Sequence, residues 1–228
     1  MSTQTRAPLS RDRLLSTAAA LADAEGLGAV TMRRLAAEVG VEAMSLYHHL
    51  PGKSGLLDSL AERVIEEIAA EVAAAGPAPQ DWREDVRRRC LLARSVMLRH
   101  PWAPGLVSSR TEVPVAAYAH FEALVDSMVR GGLSYHLAHR ALHALGSMAL
   151  GYVSEIFSPA AAGGSTDTEA AEEQLAAMAD VFPQITAMVA AELHDHNDPV
   201  LGWCDSQSEF EFTLDLLLDG LDRLRSDA

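Results

Sequence analysis

The sequence predicts an all-α protein in which a three-helix N-terminal head is joined by a long linker helix to a helical body. Two observations support this fold class. Of the 228 residues, 49% are hydrophobic and only 5% are aromatic, and the helix-favouring residues alanine and leucine are abundant. Apolar residues also recur at helical spacing along most of the chain, and we find no internal repeat and no convincing strand pattern.

Three short helical patterns, and the residues that end them, predict the head. Ser10 can cap the first helix, and Gly26 can terminate it. A second helix over residues 31–39 stops at Gly40, and a third over residues 43–50 is broken by the Pro-Gly pair that follows. Two short helices joined by a tight glycine-containing turn form a helix-turn-helix pattern.

The linker helix is expected to begin near Lys53 and to continue to about residue 74. The Gly-Pro-Ala-Pro sequence at residues 76–79 is the clearest boundary in the chain. We therefore predict a head domain of residues 1–57 and a body domain of residues 58–228. The helical patterns of the body cover residues 81–99, 102–109, 114–130, 134–157, 169–193 and 209–225, and Pro183 is expected to kink or break the fifth of them.

Charged residues are divided unevenly between the head and the body. The chain has a formal net charge of −14, which argues against contact with the phosphates of DNA. Residues 1–57, however, hold six Lys/Arg and five Asp/Glu, which leaves 12 basic and 27 acidic residues for the rest of the chain. A head of net charge +1 can meet DNA while the acidic body points away from it. The charge distribution thus permits DNA binding without requiring it.

The sequence carries no sign of a membrane span or of an export signal. No stretch approaches the roughly 18 apolar residues of a membrane span, and the first residues lack an apolar signal core. The two cysteines, Cys90 and Cys204, form no paired motif, so a disulfide framework is not expected. We therefore expect a cytoplasmic protein.

The helix-turn-helix pattern carries side chains suited to DNA. In such motifs the second helix enters the major groove, where polar or aromatic side chains contact base edges while flanking groups bind phosphates. Lys53 is the only lysine in the chain, and it opens the linker helix, whose N-terminal amides also favour a phosphate. The expected DNA-binding residues are Thr31, Arg33, Met44, Ser45, Tyr47, His48, His49 and Lys53, with Arg34 as a further candidate for phosphate.

Residues 31–58, TMRRLAAEVGVEAMSLYHHLPGKSGLLD, resemble the signature of the TetR (tetracycline-repressor-like) family of regulators. In that signature a Leu-Tyr pair lies near the end of the recognition helix, and a lysine and a Leu-Leu pair follow on the linker helix. The body is more weakly similar to the tetracycline-repressor branch, through the glycine-ended segment before Leu133 and through residues 144–155, ALGSMALGYVSE. The resemblance implies a DNA-binding head, a ligand-sensing body and a homodimer.

The resemblance also implies roles for individual residues. Base contacts are implied for Arg33, Tyr47 and His49, and phosphate contacts for Thr31, Ser45, Tyr47 and Lys53. Ala43 cannot form the bidentate bond to adenine that a glutamine at this position of the tetracycline repressor allows, so a different operator is expected. Two alternatives stay open: Tyr47 packs on the first helix, and Met44 lies in the core instead of against a thymine methyl. Leu46 and Leu50 are expected in the core in either case.

The body is expected to form a homodimer. The apolar residues of segments 134–157 and 209–225 exceed what one helix face needs for its own core, and two such helices from each subunit would build a four-helix interface. The alternative is that both stripes belong to the core of one chain. The expected interface residues are Leu145, Tyr152, Leu214, Leu217, Leu218 and Leu221.

An effector pocket in the body should be mostly apolar with a few polar anchors. The residues expected to line it are Met97, Trp102, Leu124, Leu142, His143, Ser147 and Tyr152. Ser147 stands where the tetracycline repressor has a metal-binding histidine, so the resemblance implies an effector other than tetracycline.

These patterns together predict a DNA-binding transcriptional regulator, more specifically a repressor that a small, largely apolar effector releases from a palindromic operator. No nucleophile–base arrangement, phosphate-binding loop or dinucleotide fingerprint is found, so neither an enzyme activity nor a cofactor is expected. One alternative is a ligand-independent architectural DNA-binding protein. The other is a metal-dependent enzyme using His136, His139 and His143, which share roughly one helix face but lack the glutamate of a zinc-protease helix.

Overall fold

The computed structural model describes residues 9–152, 173, 176–191 and 205–226, and every regular element within these residues is helical. The predicted all-α fold class is confirmed. The chain divides into two compact units, residues 1–143 and residues 144–228. The division between head and body at residues 57 and 58 stays a prediction.

The helices of the first unit include both the head and the first part of the body. They are α1 (Arg11–Glu25), α2 (Met32–Val39), α3 (Ala43–Leu46), α4 (Gly52–Ala74), α5 (Trp82–Arg99), α6 (Ala103–Ser108) and α7 (Val115–Arg130), with a 3-10 turn at Leu27–Ala29. Helix α8 (Tyr135–Gly151) crosses the division between the units, and the second unit contains α9 (Pro183–Ala191) and α10 (Ser206–Ser226). Within the described residues, no helix combines the length and the hydrophobicity that a membrane crossing requires.

Side-chain caps and glycines set the ends of the first two head helices: the Ser10 cap and both glycine ends were predicted, whereas Thr31, expected as the first residue of the second helix, caps it instead. The hydroxyl oxygens of Ser10 and Thr31 accept hydrogen bonds from the backbone N–H groups three residues later, at 3.2 and 3.1 Å. Gly26 and Gly40 follow the two helices with φ values of 81° and 72°. These positive φ values favour glycine, so both helices end where the sequence places one.

Helix α3 is shorter than the pattern predicts. A helix was expected over residues 43–50, but α3 ends at Leu46, and a turn follows in which the Leu46 carbonyl accepts the N–H groups of His49 and Leu50, both at 2.9 Å. The proline at position 51 contributes to the early end, because it has no N–H to donate to the Tyr47 carbonyl and its ring disfavours the helical conformation of Leu50. We refer to residues 43–50 as the recognition segment.

The head core joins α1 to α4 and extends into the body. Leu46 and Leu50 are fully buried, as predicted. Leu106 of α6 belongs to the same apolar cluster, so the head packs directly against a helix of the body. The other buried members of the cluster are Leu14, Leu15, Ala18, Leu21, Ala22, Val30, Leu35, Ala36, Val39, Leu56, Leu60 and Ala61.

Helices α4, α5 and α7 pack against one another in pairs and form the body portion of the first unit. Gly131, which ends α7, lies against the first residue of α5, because a Cβ added there would come within 2.3 Å of Trp82 Cγ. This close approach holds the end of α7 on the start of α5, a position that only glycine allows without displacing the indole.

The second unit contains a predicted breaking point. Pro183 was expected to kink or break a helix over residues 169–193, and α9 begins at Pro183, since proline is tolerated at the first position of a helix. The parts of the predicted body helices at residues 153–157, 169–172, 174–175 and 192–193 lie outside the described residues. Tyr152, at the end of α8, donates its hydroxyl to the Glu209 carbonyl of α10 at 3.1 Å and meets the Phe210 ring edge-on at 5.7 Å.

Candidate nucleic-acid interface

The recognition segment has one buried side and one exposed side. Leu46 and Leu50 anchor it in the head core with no exposed surface. Met44 is 72% exposed and Tyr47 is 51% exposed, and His48 between the two leucines is exposed as well. The segment therefore presents a sulfur-containing, an aromatic and an imidazole side chain to solvent on a rigidly anchored frame. Of the two alternatives for Met44, the structure excludes the core position.

Tyr47 lies next to the start of the linker helix. A Cβ built on Gly52, the first residue of α4, would be 3.9 Å from Tyr47 Cε1, and Gly52 has a φ of 76°. The tyrosine ring therefore rests beside the turn that joins the recognition segment to α4 and keeps about half of its surface exposed. It does not belong to the head core.

The two neighbouring arginines of α2 differ in their partners. The Arg34 guanidinium donates to Glu25 at 2.9 Å and pairs with Glu38 at 3.0 Å. Arg33 is exposed and has no hydrogen bond or ion pair with any other described residue. Arg34 is therefore neutralised within the head, and only Arg33 keeps a positive charge free for an anion. The glutamate four residues after Arg34 was a visible signal of this pairing that the sequence analysis missed.

Lys53 provides a second free cation, at the opposite end of the recognition segment. It is exposed in the first turn of α4 and has no charged or hydrogen-bonding partner among the described residues. No side chain caps α4, so the amides of its first turn also remain able to bind a phosphate.

The three other predicted DNA-binding residues are only partly exposed. Thr31 caps α2 through its hydroxyl oxygen, but the hydroxyl hydrogen can still be donated. Ser45 and His49 are half-buried. All eight predicted residues thus lie on α2, the recognition segment or the first turn of α4, and none of them is buried.

The predicted effector residues are placed at different depths. Met97 and Leu124 are buried, and Trp102, Leu142 and Tyr152 are half-buried. Trp102 lines a cavity of about 210 Å³, none of whose other lining residues belongs to the predicted set; they are Ser16, Ala19, Ala20, Asp23, Arg63, Val64, Glu67 and His100.

His143 and Ser147 differ from the prediction. Both are exposed, and they lie four residues apart on one face of α8 that also includes the exposed His139. A polar pair on an exposed helix face is not the lining of an enclosed pocket. The sequence showed that apolar residues recur at helical spacing along α8. It could not show which face of the helix is turned toward the core.

Four of the predicted interface residues require correction. Leu145, Leu214, Leu218 and Leu221 are between 0% and 8% exposed within the single chain, so their side chains are not free to meet a partner. Of the remaining two, Leu217 and Tyr152 are half-buried. The error arose because α10 is apolar on two sides. Its outer side carries Phe212 and Leu216, which are 62% and 54% exposed.

The three histidines of α8 do not form a recognisable metal site. The rings of His139 and His143 meet edge-on with centroids 4.7 Å apart, and His136 is exposed. Across the part of the chain that the structure describes, no group of three or more His, Cys, Asp or Glu side chains is arranged to hold a metal ion.

Two protein-family models match the chain. Residues 14–60 match the model described as bacterial regulatory proteins, tetR family, and residues 76–225 match the tetracycline repressor-like C-terminal domain. The first match contains α2, the recognition segment and the start of α4.

Several curated relatives are regulators. An HTH-type transcriptional regulator of Saccharopolyspora erythraea is 33% identical over 57% of this chain and 53% of the relative, and the HTH-type transcriptional repressor DrrR1 of Streptomyces coeruleorubidus is 34% identical over 55% and 46%. The matched region thus spans about half the length of these two relatives. The class C tetracycline repressor protein of Escherichia coli is 27% identical over 95% of this chain and 92% of the relative.

Solved structures agree with these matches. The Streptomyces coelicolor TetR family protein ActR in complex with actinorhodin has a TM-score of 0.73 and 28% identity, covering 94% of this chain and 96% of ActR. The complex of ActR with (S)-DNPA gives a TM-score of 0.70 and 27% identity, with 94% and 98% covered. With a helix-turn-helix head and two family models that together match most of its length, the chain belongs to the TetR family.

Proposed function

We propose that the protein is a DNA-binding transcriptional repressor that acts as a homodimer and is released from a palindromic operator by a small, largely apolar effector. The observation that carries this proposal is the two-sided recognition segment. Leu46 and Leu50 fix it in the core, while Met44, Tyr47 and His48 face solvent, and the cations of Arg33 before the segment and Lys53 after it have no partner among the described residues. This arrangement suits base contacts between two phosphate anchors.

The relatives support the direction of the regulation. DrrR1 is described as a repressor, and the class C relative is a tetracycline repressor protein. These relatives are regulators, and we propose no catalytic role for this chain.

The solved relatives support an effector. ActR has been crystallised in complex with two different compounds, actinorhodin and (S)-DNPA. In this chain we propose that the effector contacts the apolar side chains of Met97, Leu124 and Leu142 and the ring of Trp102, all of which lie in the first unit. An effector that binds more tightly to a body conformation with an unsuitable head position would release DNA.

A symmetric dimer would place two recognition segments in successive major grooves, about 34–36 Å apart. We propose that the outer side of α10, with Phe212 and Leu216, forms part of the subunit interface together with Leu217 and Tyr152. Exposed large apolar side chains on neighbouring helix turns are typical of an association surface. On this proposal, Leu145, Leu214, Leu218 and Leu221 support the interface from the core.

The proposal is tested by replacing both Tyr47 and Lys53 with alanine and measuring affinity for DNA duplexes that the wild-type protein selects. Loss of one base contact and one phosphate contact should weaken binding on the order of 100-fold. Arg34→Ala is the matched control, since its charge is already neutralised by Glu25 and Glu38, and it should bind nearly as well as the wild type. Sedimentation should show the same oligomer for all three proteins. Wild-type affinity in the double variant would contradict the proposal.

A further inference from the structure

Asp23, in the last turn of α1, connects the head to the segment that follows α5. Its Oδ1 atom lies 2.7 Å from His100 Nδ1 and accepts a hydrogen bond from Trp102 Nε1, also at 2.7 Å. The His100 and Trp102 rings lie against each other with centroids 5.4 Å apart. Since α1 belongs to the head and residues 100–102 to the body, these contacts bridge the two parts of the first unit.

His100 also reaches the linker helix. Its Nε2 atom lies 3.1 Å from Glu67 Oε2 of α4, and its side chain is only 13% exposed. Carboxylate oxygens accept hydrogen bonds but cannot donate them, so both ring nitrogens must carry a hydrogen to satisfy both contacts. Only the imidazolium form does so. A neutral ring would leave one nitrogen lone pair facing a carboxylate.

The other charged groups around His100 are held by partners of their own. Arg99 of α5 donates to Glu67 Oε1 at 2.8 Å and to Glu71 at 2.7 Å, and Arg63 of α4 donates to Asp12 at 2.8 Å. The surroundings of the ring are therefore the carboxylates of Asp23, Glu67 and Glu71 and two arginines that are already paired.

Glu67 keeps its charge throughout the range in which histidine titrates. Burial raises the pKa of Glu67, but the hydrogen bonds from Arg99 and His100 outweigh burial, and the pKa lies below its ordinary value. Histidine is the side chain that ordinarily changes its charge near neutral pH. The protonation state of the His100 ring therefore decides whether both carboxylate contacts can be made at once.

We propose that His100 is a positioning residue that links the head to the body in a protonation-dependent manner, so that operator affinity depends on pH through this residue. As imidazolium, it ties α1 to α4 through Asp23 and Glu67. The neutral ring loses one of these contacts. The head can then move relative to α4 and to the α5–α6 junction. This inference rests on the proposed function, because a change of head position alters DNA affinity only if two heads must match two half-sites.

The experiment compares operator affinities of four proteins at fixed ionic strength from about pH 6 to about pH 8.5. They are the wild type, His100→Gln, Asp23→Asn, and the control His139→Gln, which alters an exposed histidine of α8. Asp23→Asn keeps an oxygen that can accept from Trp102 but removes the charge opposite His100. All four proteins retain His48 and His49, so ratios of affinities cancel any contribution of these two residues.

The ratio of wild-type affinity to His100→Gln affinity should change by about threefold or more across this range. The affinity of His139→Gln should depend on pH as that of the wild type does, and the affinity of Asp23→Asn as that of His100→Gln does. Parallel curves for the wild type and His100→Gln would overturn the inference.

Thermal unfolding without DNA tests the link independently of operator binding. The wild type should melt about 2–4 °C above His100→Gln near pH 6, and this difference should shrink as pH rises and the imidazolium is lost. A difference that does not change with pH would overturn the link. If none of the proteins bound DNA, the proposed function would fail, while the melting temperatures would still decide whether His100 forms a protonation-dependent link.

Discussion

The two sides of the recognition segment differ sharply in their exposure to solvent. Leu46 and Leu50 have no exposed surface, whereas Met44 and Tyr47 keep 72% and 51% of theirs. Side chains only one to three positions apart therefore serve different purposes: the leucines hold the segment in the head core, and the others are available to DNA. It follows that stability and DNA recognition can be altered separately by substitutions within a single helical turn.

The largest effect is expected from Leu46→Ala. Removing a fully buried leucine side chain from a core costs about 2–5 kcal/mol, because apolar contacts are lost and a cavity remains. Met44→Ala is the matched control, and it should change the free energy of unfolding by no more than about 0.5 kcal/mol, because Met44 is exposed. Urea denaturation followed by circular dichroism measures both. Equal destabilisation by the two substitutions would mean that the segment has no distinct inner side.

A smaller effect is expected from the two arginines of α2. Arg33→Ala should weaken operator binding about tenfold, since it removes an unpaired cation from the exposed surface. Arg34→Ala should change affinity by about twofold at most, because Glu25 and Glu38 already neutralise this side chain. Fluorescence anisotropy with a labelled duplex gives both constants. If Arg34→Ala weakened binding more than Arg33→Ala, the assignment of the free cation would be reversed.

The smallest effect concerns a half-buried histidine, His120, and an exposed histidine, His48. Burial lowers the pKa of His120, and the nearby positive charge of Arg89 lowers it further, so the folded state disfavours the protonated ring. The stability that the neutral ring contributes is present above the ordinary pKa of histidine and is lost as pH falls through the lowered value. His120→Gln should therefore lose less stability on acidification than the wild type.

The exposed His48 provides the control for that experiment. The unfolding free energy of His48→Gln should fall with decreasing pH as steeply as that of the wild type, because the His48 ring is exposed to solvent in the folded chain. Denaturant unfolding at several pH values measures how steeply the free energy of unfolding depends on pH in the wild type, His120→Gln and His48→Gln. A His120→Gln slope as steep as that of the wild type would show that burial of this ring has no effect on acid stability.

Local signals in the sequence were enough to predict the head. Ser10 caps the first helix, Gly26 and Gly40 end the first two, and the leucines of the recognition segment lie in the core. Each of these features depends on residues within a few positions of one another. The shorter α3 also had a local cause in the proline that follows the segment.

The body could be predicted less well because its features depend on distant residues. Helix α10 is apolar on two sides, and only packing decides that Leu214 and Leu218 face inward while Phe212 and Leu216 face outward. The contacts of Asp23 with His100 and Trp102 join residues 77 and 79 positions apart. No periodicity or motif in a single sequence relates positions so far apart.

Selection of binding sites from a library of random DNA duplexes tests the central claim most directly. The wild-type protein should enrich a sequence made of two inverted half-sites, whose centres are separated by about one helical turn of 10–10.5 base pairs or a multiple of it. The protein with both Tyr47 and Lys53 replaced by alanine should enrich nothing. Enrichment of the same sequences by both proteins, or of sequences without two-fold symmetry, would contradict a dimeric repressor that reads DNA through the exposed side of residues 43–50.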